Sequence, residues 1–349
     1  MEGTLISLSC LAIAAFLDYA IGDPEGCLHP VQVMGWAIAK YTQFFWHLQA
    51  IWKCKFKNFI FFRKSQISQK FLERLAGIYL LVMLIGGSGF FVAAGIQLAR
   101  DINQGVGLVL GSLTLASCLA GRGLRDAALA VLVPLQLKDE ETARQVLSRY
   151  VGRDTAQLST PAIYRAVLET VTENATDGVM APLFYGLLGV IFWGLPGVGV
   201  AIAYKAASTL DSMIGYLAPP YTHIGWASAK LEDLLTWLPC RLHVLTLAVF
   251  SGRPREVLAI CQRDAPQDPS PNSGWSECVY AAILGVQVGG DITYKGVVKS
   301  KPLLGNNCQP ITEATIRQAL YLTRYAFLLW LVTGMVLIFV GKFLTLRHL

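Results

Sequence analysis

Long apolar runs alternate with polar segments along the whole chain. Residues 75–99 are almost wholly apolar, and residues 325–340 are apolar again, extended by Gly341 and Phe343-Leu344. A helix needs about 20 such residues to cross a hydrocarbon core. Residues 5–17, carried on by Tyr19 to Ile21, predict a third span. Residues 106–120, closed by Gly121-Arg122-Gly123-Leu124-Arg125-Asp126, predict a fourth. Only Glu2 precedes the stretch at 5–17, so it lacks the positive flank of a signal peptide. Residues 181–203 are long enough to cross, but Gly194-Leu195-Pro196-Gly197 interrupts them, and proline stops a helix. The chain is expected to turn back there as two re-entrant half-helices, which are tolerated where protein or a cavity covers the break. A single kinked span is the plainer alternative. Residues 234–250 contain Pro239, Arg241 and His243 and read as interfacial or buried against protein. The pattern predicts an all-α, polytopic integral membrane protein of about four to six spans, with a re-entrant pair and cytoplasmic helical segments.

Composition agrees. The 349 residues are 54% hydrophobic and 15% charged, against about 45–50% and roughly 25% in soluble domains. We read residues 1–349 as a single membrane domain. It carries a cytoplasmic amphipathic insertion at 122–180, with an acidic helix, and a second polar cytoplasmic segment at 204–324. Charge sets the orientation. Lys53, Lys55, Lys57, Arg63, Lys64, Lys70 and Arg74 face a single Glu73. Interleaved with Phe56, Phe59, Phe61 and Phe62, this run would suit nucleic acid. Beside membrane spans it reads instead as a cytoplasmic loop at the anionic leaflet, so lipid is the expected partner and nucleic acid is not. Arg122 and Arg125 then also fall inside. The eight cysteines show no C-x-x-C pair and read as small buried hydrophobes. Cys240, Cys261 and Cys278 are expected reduced.

Three polar clusters could carry chemistry. Arg165, Glu169, Glu173 and Asp177 are four apart, so a helix starting near Ser159, Thr160 and Pro161 and ending at Gly178 would present them as one stripe. A solvated face is the bland reading. No lysine accompanies the acids, however, and the stripe runs into apolar sequence, where carboxylates suit a hydrated Mg²⁺. The second cluster, Tyr204-Lys205 to Asp211-Ser212-Met213, places a lysine and an aspartate just after a membrane-depth segment, which is costly unless they are paired or wet. Lys205 suits a phosphate, and Asp211 a metal or Lys205 itself. The third, Asp18, Gly22-Asp23-Pro24 and His29-Pro30, is first of all turn sequence. Gly152-Arg153-Asp154-Thr155 suits either a phosphate clamp or a helix-start turn. No Walker A run, G-x-G-x-x-G or H-E-x-x-H occurs.

Taken in order, these clusters resemble the adenosylcobinamide-phosphate synthase family of cobalamin biosynthesis. The resemblance spans residues 8–340. It rests on Asp18, Gly22-Asp23-Pro24, His29-Pro30-Val31, Gly152-Arg153-Asp154-Thr155, Glu169, Glu173-Asn174, Asp177-Gly178 and Ala181-Pro182-Leu183-Phe184. Tyr204-Lys205, Thr209-Leu210-Asp211-Ser212-Met213, Gly215-Tyr216, Asp233, Pro239, Arg241, Asn272, Gly274, Gly289-Gly290, Tyr294 and Gly305 continue it. Ser208, Glu232 and Ser273 depart from the family pattern. The resemblance implies an ATP-dependent carbon–nitrogen ligase joining adenosylcobyric acid to aminopropanol phosphate or ethanolamine phosphate. It further implies a multi-pass protein of the inner (plasma) membrane whose site faces the cytoplasm, and it leaves room for a homo-oligomer. As implied roles, Glu173 and Asp177 hold Mg²⁺. Lys205, Asp211, Glu169 and His29 are catalytic, with His29 or Glu169 accepting the amine proton. Arg153, Asp154, Asn174, Tyr204 and Asn272 bind ATP or substrate, and Tyr204, Tyr216 and Trp226 line a corrinoid groove. A transporter would need repeats and mid-span polar residues. A membrane alcohol phosphotransferase or prenyltransferase would need further spaced aspartates after Asp177-Gly178.

Overall fold

A computed structural model of the chain describes residues 2–22, 26, 29–55, 66–216 and 218–347. Asp23-Pro24, Cys27 and much of the basic run lie outside them.

The apolar runs are helices. In chain order they are α1 (Glu2–Ala20), α2 (Pro30–Lys55), α3 (Gln66–Ile102), α4 (Gln104–Ala116), α5 (Gly121–Gln136), α6 (Glu140–Leu147) and α7 (Thr160–Asn174). A π-turn (Ala175–Met180) leads into α8 (Ala181–Trp193), and a 3₁₀ turn (Leu195–Val198) into α9 (Gly199–Ile214). Then come α10 (Trp226–Phe250), α11 (Pro254–Asp264), α12 (Ser273–Leu284), the hairpin β1 (Val288–Tyr294) and β2 (Val297–Leu304), and α13 (Glu313–Arg347). Among the described residues, six segments are long and apolar enough to cross a membrane: Glu2–Ala20, Gln69–Ile102, Gln104–Gln136, Thr160–Trp193, Trp226–Phe250 and Glu313–Leu344. Their apolar side chains are widely exposed, Phe90 and Phe91 by 68% and 74%, as lipid-facing residues should be.

Two boundaries differ from the sequence reading. Gly178 does not end the acidic helix. It has helical geometry within the π-turn, and its carbonyl accepts from the Ala120 N–H at 3.0 Å, so the helix runs on from Thr160 to Trp193. The helix from Trp226 to Phe250 passes through Pro239 without a break. Proline cannot donate to the carbonyl four residues back, and here the Tyr185 hydroxyl donates to that carbonyl, Leu235 O, at 2.9 Å.

The chain forms two compact units. The first comprises Met1–Ala14, Asp23–Cys118 and Tyr185–Leu235. Ile38, Leu80, Leu210 and Ile214 centre one of its cores, with Tyr41 and Met213 against them. The chain reverses at Gly194–Val198, as the broken apolar run predicts. Gly189 and Gly197 meet so closely that a Cβ on either would lie 1.9 Å from the other's carbonyl oxygen. Tyr185 stacks on Tyr204, ring centres 4.9 Å apart, so α8 and α9 run back along each other. The second unit comprises Ala15–Gly22, Leu119–Phe184 and Thr236–Leu349. Its antiparallel hairpin pairs Gly290 with Lys301 and is irregular between Val288 and Gly290.

Candidate active site

In the second unit the acidic stripe of α7 faces the hairpin. Arg165 donates to Gly289 O at 2.8 Å and to Asp291 O at 3.3 Å. Glu169 Oε1 accepts from the Gly289 N–H at 2.8 Å, and Arg153 Nη2 lies 2.5 Å from Glu169 Oε2. Gly289 makes this possible. Its φ is +90°, and a Cβ would lie 2.0 Å from Pro302 O, so only glycine lets the strand come this close. Glu169 is 1% exposed, and its ion pair with Arg153 and its bond to Gly289 orient the hairpin against α7.

The hairpin brings a lysine to the acids. Lys301 Nζ lies 3.4 Å from Glu277 Oε1, and the charges of Glu173, Glu169 and Asp268 also act on it. Burial works against the Lys301 charge, yet these carboxylates outweigh it and hold the ammonium above the ordinary lysine range. Burial pushes the Glu277 carboxyl up to about 8; Lys301 opposes this, while Glu173, Glu169 and Asp268 add to it. Glu277 Oε2 and Asp268 Oδ2 are buried and have no hydrogen-bond partner among the described residues. Hard, unsatisfied carboxylate oxygens beside Glu173 are a donor set that fits Mg²⁺. That ion keeps several waters and needs only one or two carboxylates. Accordingly, no group of three His, Cys, Asp or Glu side chains able to hold a metal is present among the described residues.

Behind the acids runs a buried hydroxyl chain. Ser276 Oγ donates to Thr172 O (2.6 Å), so Thr176 Oγ1, 2.6 Å away, donates to Ser276. His243 Nδ1 lies 3.0 Å from Thr176 Oγ1 and Nε2 lies 3.3 Å from the Tyr280 hydroxyl, which meets Thr323 Oγ1 at 2.6 Å. Thr172, Thr176 and Ser276 each immediately precede an acid, Glu173, Asp177 and Glu277. The chain thus fixes the register of α7 and the π-turn against α12. Asp177 itself sits in the π-turn, whose wider pitch interrupts the four-residue stripe. The buried Asn272 precedes α12, and its carbonyl accepts from the Trp275 and Ser276 N–H groups. Arg241 packs over Trp275 at 4.4 Å and donates to Pro271 O at 2.8 Å, pinning that loop.

Other predicted residues have structural tasks. Asp154 accepts from Lys295 N and Gly296 N at 3.1 and 2.7 Å, closing the hairpin turn. Asn174 is exposed and donates to Thr170 O in its own helix. In the first unit, Val31 N donates to His29 Nδ1, so His29 caps α2. Tyr204 is buried in its stack with Tyr185, which removes it from a surface groove; Tyr216 and Trp226 are exposed. Lys205 is half-buried with its charge acting on the Cys118 thiol. Asp211 lies over Gly215, where a Cβ would come 1.9 Å from Oδ1, and near Asp233. Sequence reading missed Asp268, Glu277 and Lys301. Glu277 alone gave a signal, as the single charged residue of α12.

A sequence profile described as CobD/CbiB protein matches residues 11–323. The chain belongs to the CobD/CbiB family. Within this family it is 48% identical to the cobalamin biosynthesis protein CobD of Synechocystis, over 96% of this chain and 92% of that one. It is 37% identical to CobD of Yersinia enterocolitica, over 93% and 95%, and 37% identical to CbiB of Salmonella arizonae, over 89% and 91%. No solved structure matches the chain.

Proposed function

We propose that this protein makes the amide bond between adenosylcobyric acid and aminopropanol phosphate or ethanolamine phosphate, at the expense of ATP, in cobalamin biosynthesis. The membership in a family whose relatives are named for cobalamin biosynthesis supports the pathway. The observation that carries the chemistry is the carboxylate pocket around Lys301, with the free oxygens of Glu277 and Asp268. A carboxylate and an amine do not condense readily in water, so the acid is activated as its acyl phosphate. Two acids, Glu173 with Glu277 or with Asp177, would hold Mg²⁺. When bound, that ion neutralises phosphate charge. Lys301 adds a fixed positive charge for a transferring phosphoryl group. The amine then attacks the acyl carbon, and phosphate leaves and carries off the amine proton. In the first unit, Lys205 remains a candidate for holding substrate phosphate, and Asp211 for ligating a metal or orienting Lys205.

The test is purified protein in detergent with ATP, Mg²⁺, adenosylcobyric acid and aminopropanol phosphate, with the amide product read by mass. Glu277→Gln, Asp177→Asn and Lys205→Ala should each lower turnover at least tenfold. No ATP consumption and no amide from the parent, with the same result using ethanolamine phosphate, sinks the reading.

A further inference from the structure

Outside that pocket, the second unit gathers three arginines at the end of α1. Arg324 of α13 stands over the Tyr19 ring at 4.1 Å, and Arg125 of α5 at 5.5 Å from the same ring centre. Arg122 donates to Ala20 O at 2.8 Å and to Asp126 at 2.8 Å. Asp126 also takes Arg125, at 3.3 Å, while Asp18 accepts from the Arg122 N–H at the start of α5. Arg324 has no carboxylate partner among the described residues, and it is exposed, as is Tyr19. Two guanidinium groups therefore share one aromatic ring, with one exposed aspartate between three arginines. A cation over an exposed ring is held only weakly, so two guanidinium charges side by side there favour an anionic acceptor.

The surroundings say which acceptor. Residues before Arg324 on α13 include Glu313, Arg317 and Gln318, and those after it are apolar. Phe16, Ile21, Tyr325 and Leu328, next to the cluster in sequence, are exposed apolar side chains. The arginines thus stand where apolar surface gives way to polar, the level of phosphate groups in a bilayer. Planar guanidinium forks match phosphate oxygens in pairs.

We propose that Arg125, Arg324 and the Tyr19 hydroxyl, bordered by Arg122, form a phosphate-binding site at the membrane edge. Its ligand is a phosphate ester oxygen pair, supplied by an anionic lipid headgroup or by a soluble phosphate ester. It is independent of the carboxylate pocket.

The full-length protein in detergent is titrated with inorganic phosphate and, separately, with phosphatidylglycerol or phosphatidylcholine in mixed micelles, following its unfolding midpoint. Phosphatidylglycerol raising the midpoint more than phosphatidylcholine assigns the lipid source; inorganic phosphate doing so at millimolar concentration assigns the soluble one. Either supports the site only if Arg324→Gln weakens that binding about tenfold, the factor for one charge-assisted hydrogen bond, and Arg125→Gln/Arg324→Gln abolishes it. Arg324→Lys keeps the charge without the fork and should bind with intermediate affinity, from an unchanged midpoint in the absence of probe. Variants that bind both probes like the parent, or a parent that responds to neither, overturn the proposal.

Discussion

Glu277 offers a sharp test of the carboxylate pocket. Its carboxyl is pushed from an ordinary 4.5 up to about 8, chiefly by burial. Below pH 4.5 it is protonated in both the folded and the unfolded chain and contributes no pH dependence. Between 4.5 and about 8 the folded protein holds a proton that the unfolded chain has released, so stability falls as pH rises. Above about 8 the loss is complete. At about 1.4 kcal/mol per pH unit, the full effect is at most about 5 kcal/mol. Glutamine in its place keeps the shape and carries no titrating proton. Unfolding midpoints in detergent, recorded from pH 5.5 to 9, should decline for the parent and stay much flatter for Glu277→Gln. The two should differ most at the alkaline end, where the variant is the more stable. Parallel curves would refute the assignment of the buried proton to Glu277.

Further outcomes follow from the same geometry. Lys301→Ala removes the cation among four acids and should cut amide formation at least tenfold while leaving the detergent-solubilised protein folded, as checked by circular dichroism. His243→Phe removes one hydrogen bond from each of the Thr176 and Tyr280 hydroxyls, which keep Ser276 and Thr323. At about 0.5–1.5 kcal/mol for each bond lost, its denaturation midpoint should fall below that of a surface control. Gly289→Ala forces a side chain onto a backbone with φ +90° and into Pro302 O; it should cost at least about 2 kcal/mol and expose the hairpin to limited proteolysis. Mg²⁺ at millimolar concentration should raise the parent's unfolding midpoint and leave that of a Glu173→Gln/Glu277→Gln variant unchanged.

The helices and the acid stripe were legible because both are local. Apolar runs of about 20 residues mark spans, and Glu169 and Glu173 share a face by spacing alone. Glu277 and Lys301 were not, since they reach Glu173 across more than 100 residues through a hairpin that no periodicity announces. Pro239 misled in the opposite direction. A proline within an apolar run reads as a break, and only Tyr185, 54 residues earlier, supplies the hydrogen bond that lets the helix continue. The stack of Tyr185 on Tyr204 was not legible either, since it forms across a chain reversal that no spacing announces.

The π-turn constrains how this chain can vary over time. A single-residue deletion anywhere in Ala175–Met180 would return the helix to ordinary pitch and swing everything before it by about 100° relative to α8. Glu169 and Glu173 would then change their bearing relative to Asp177 and the start of α8, though no side chain had been replaced. Away from Thr176 and Asp177, substitutions in this stretch can be absorbed, but a change in its length cannot. In homologous chains this stretch should keep its length even where its letters drift.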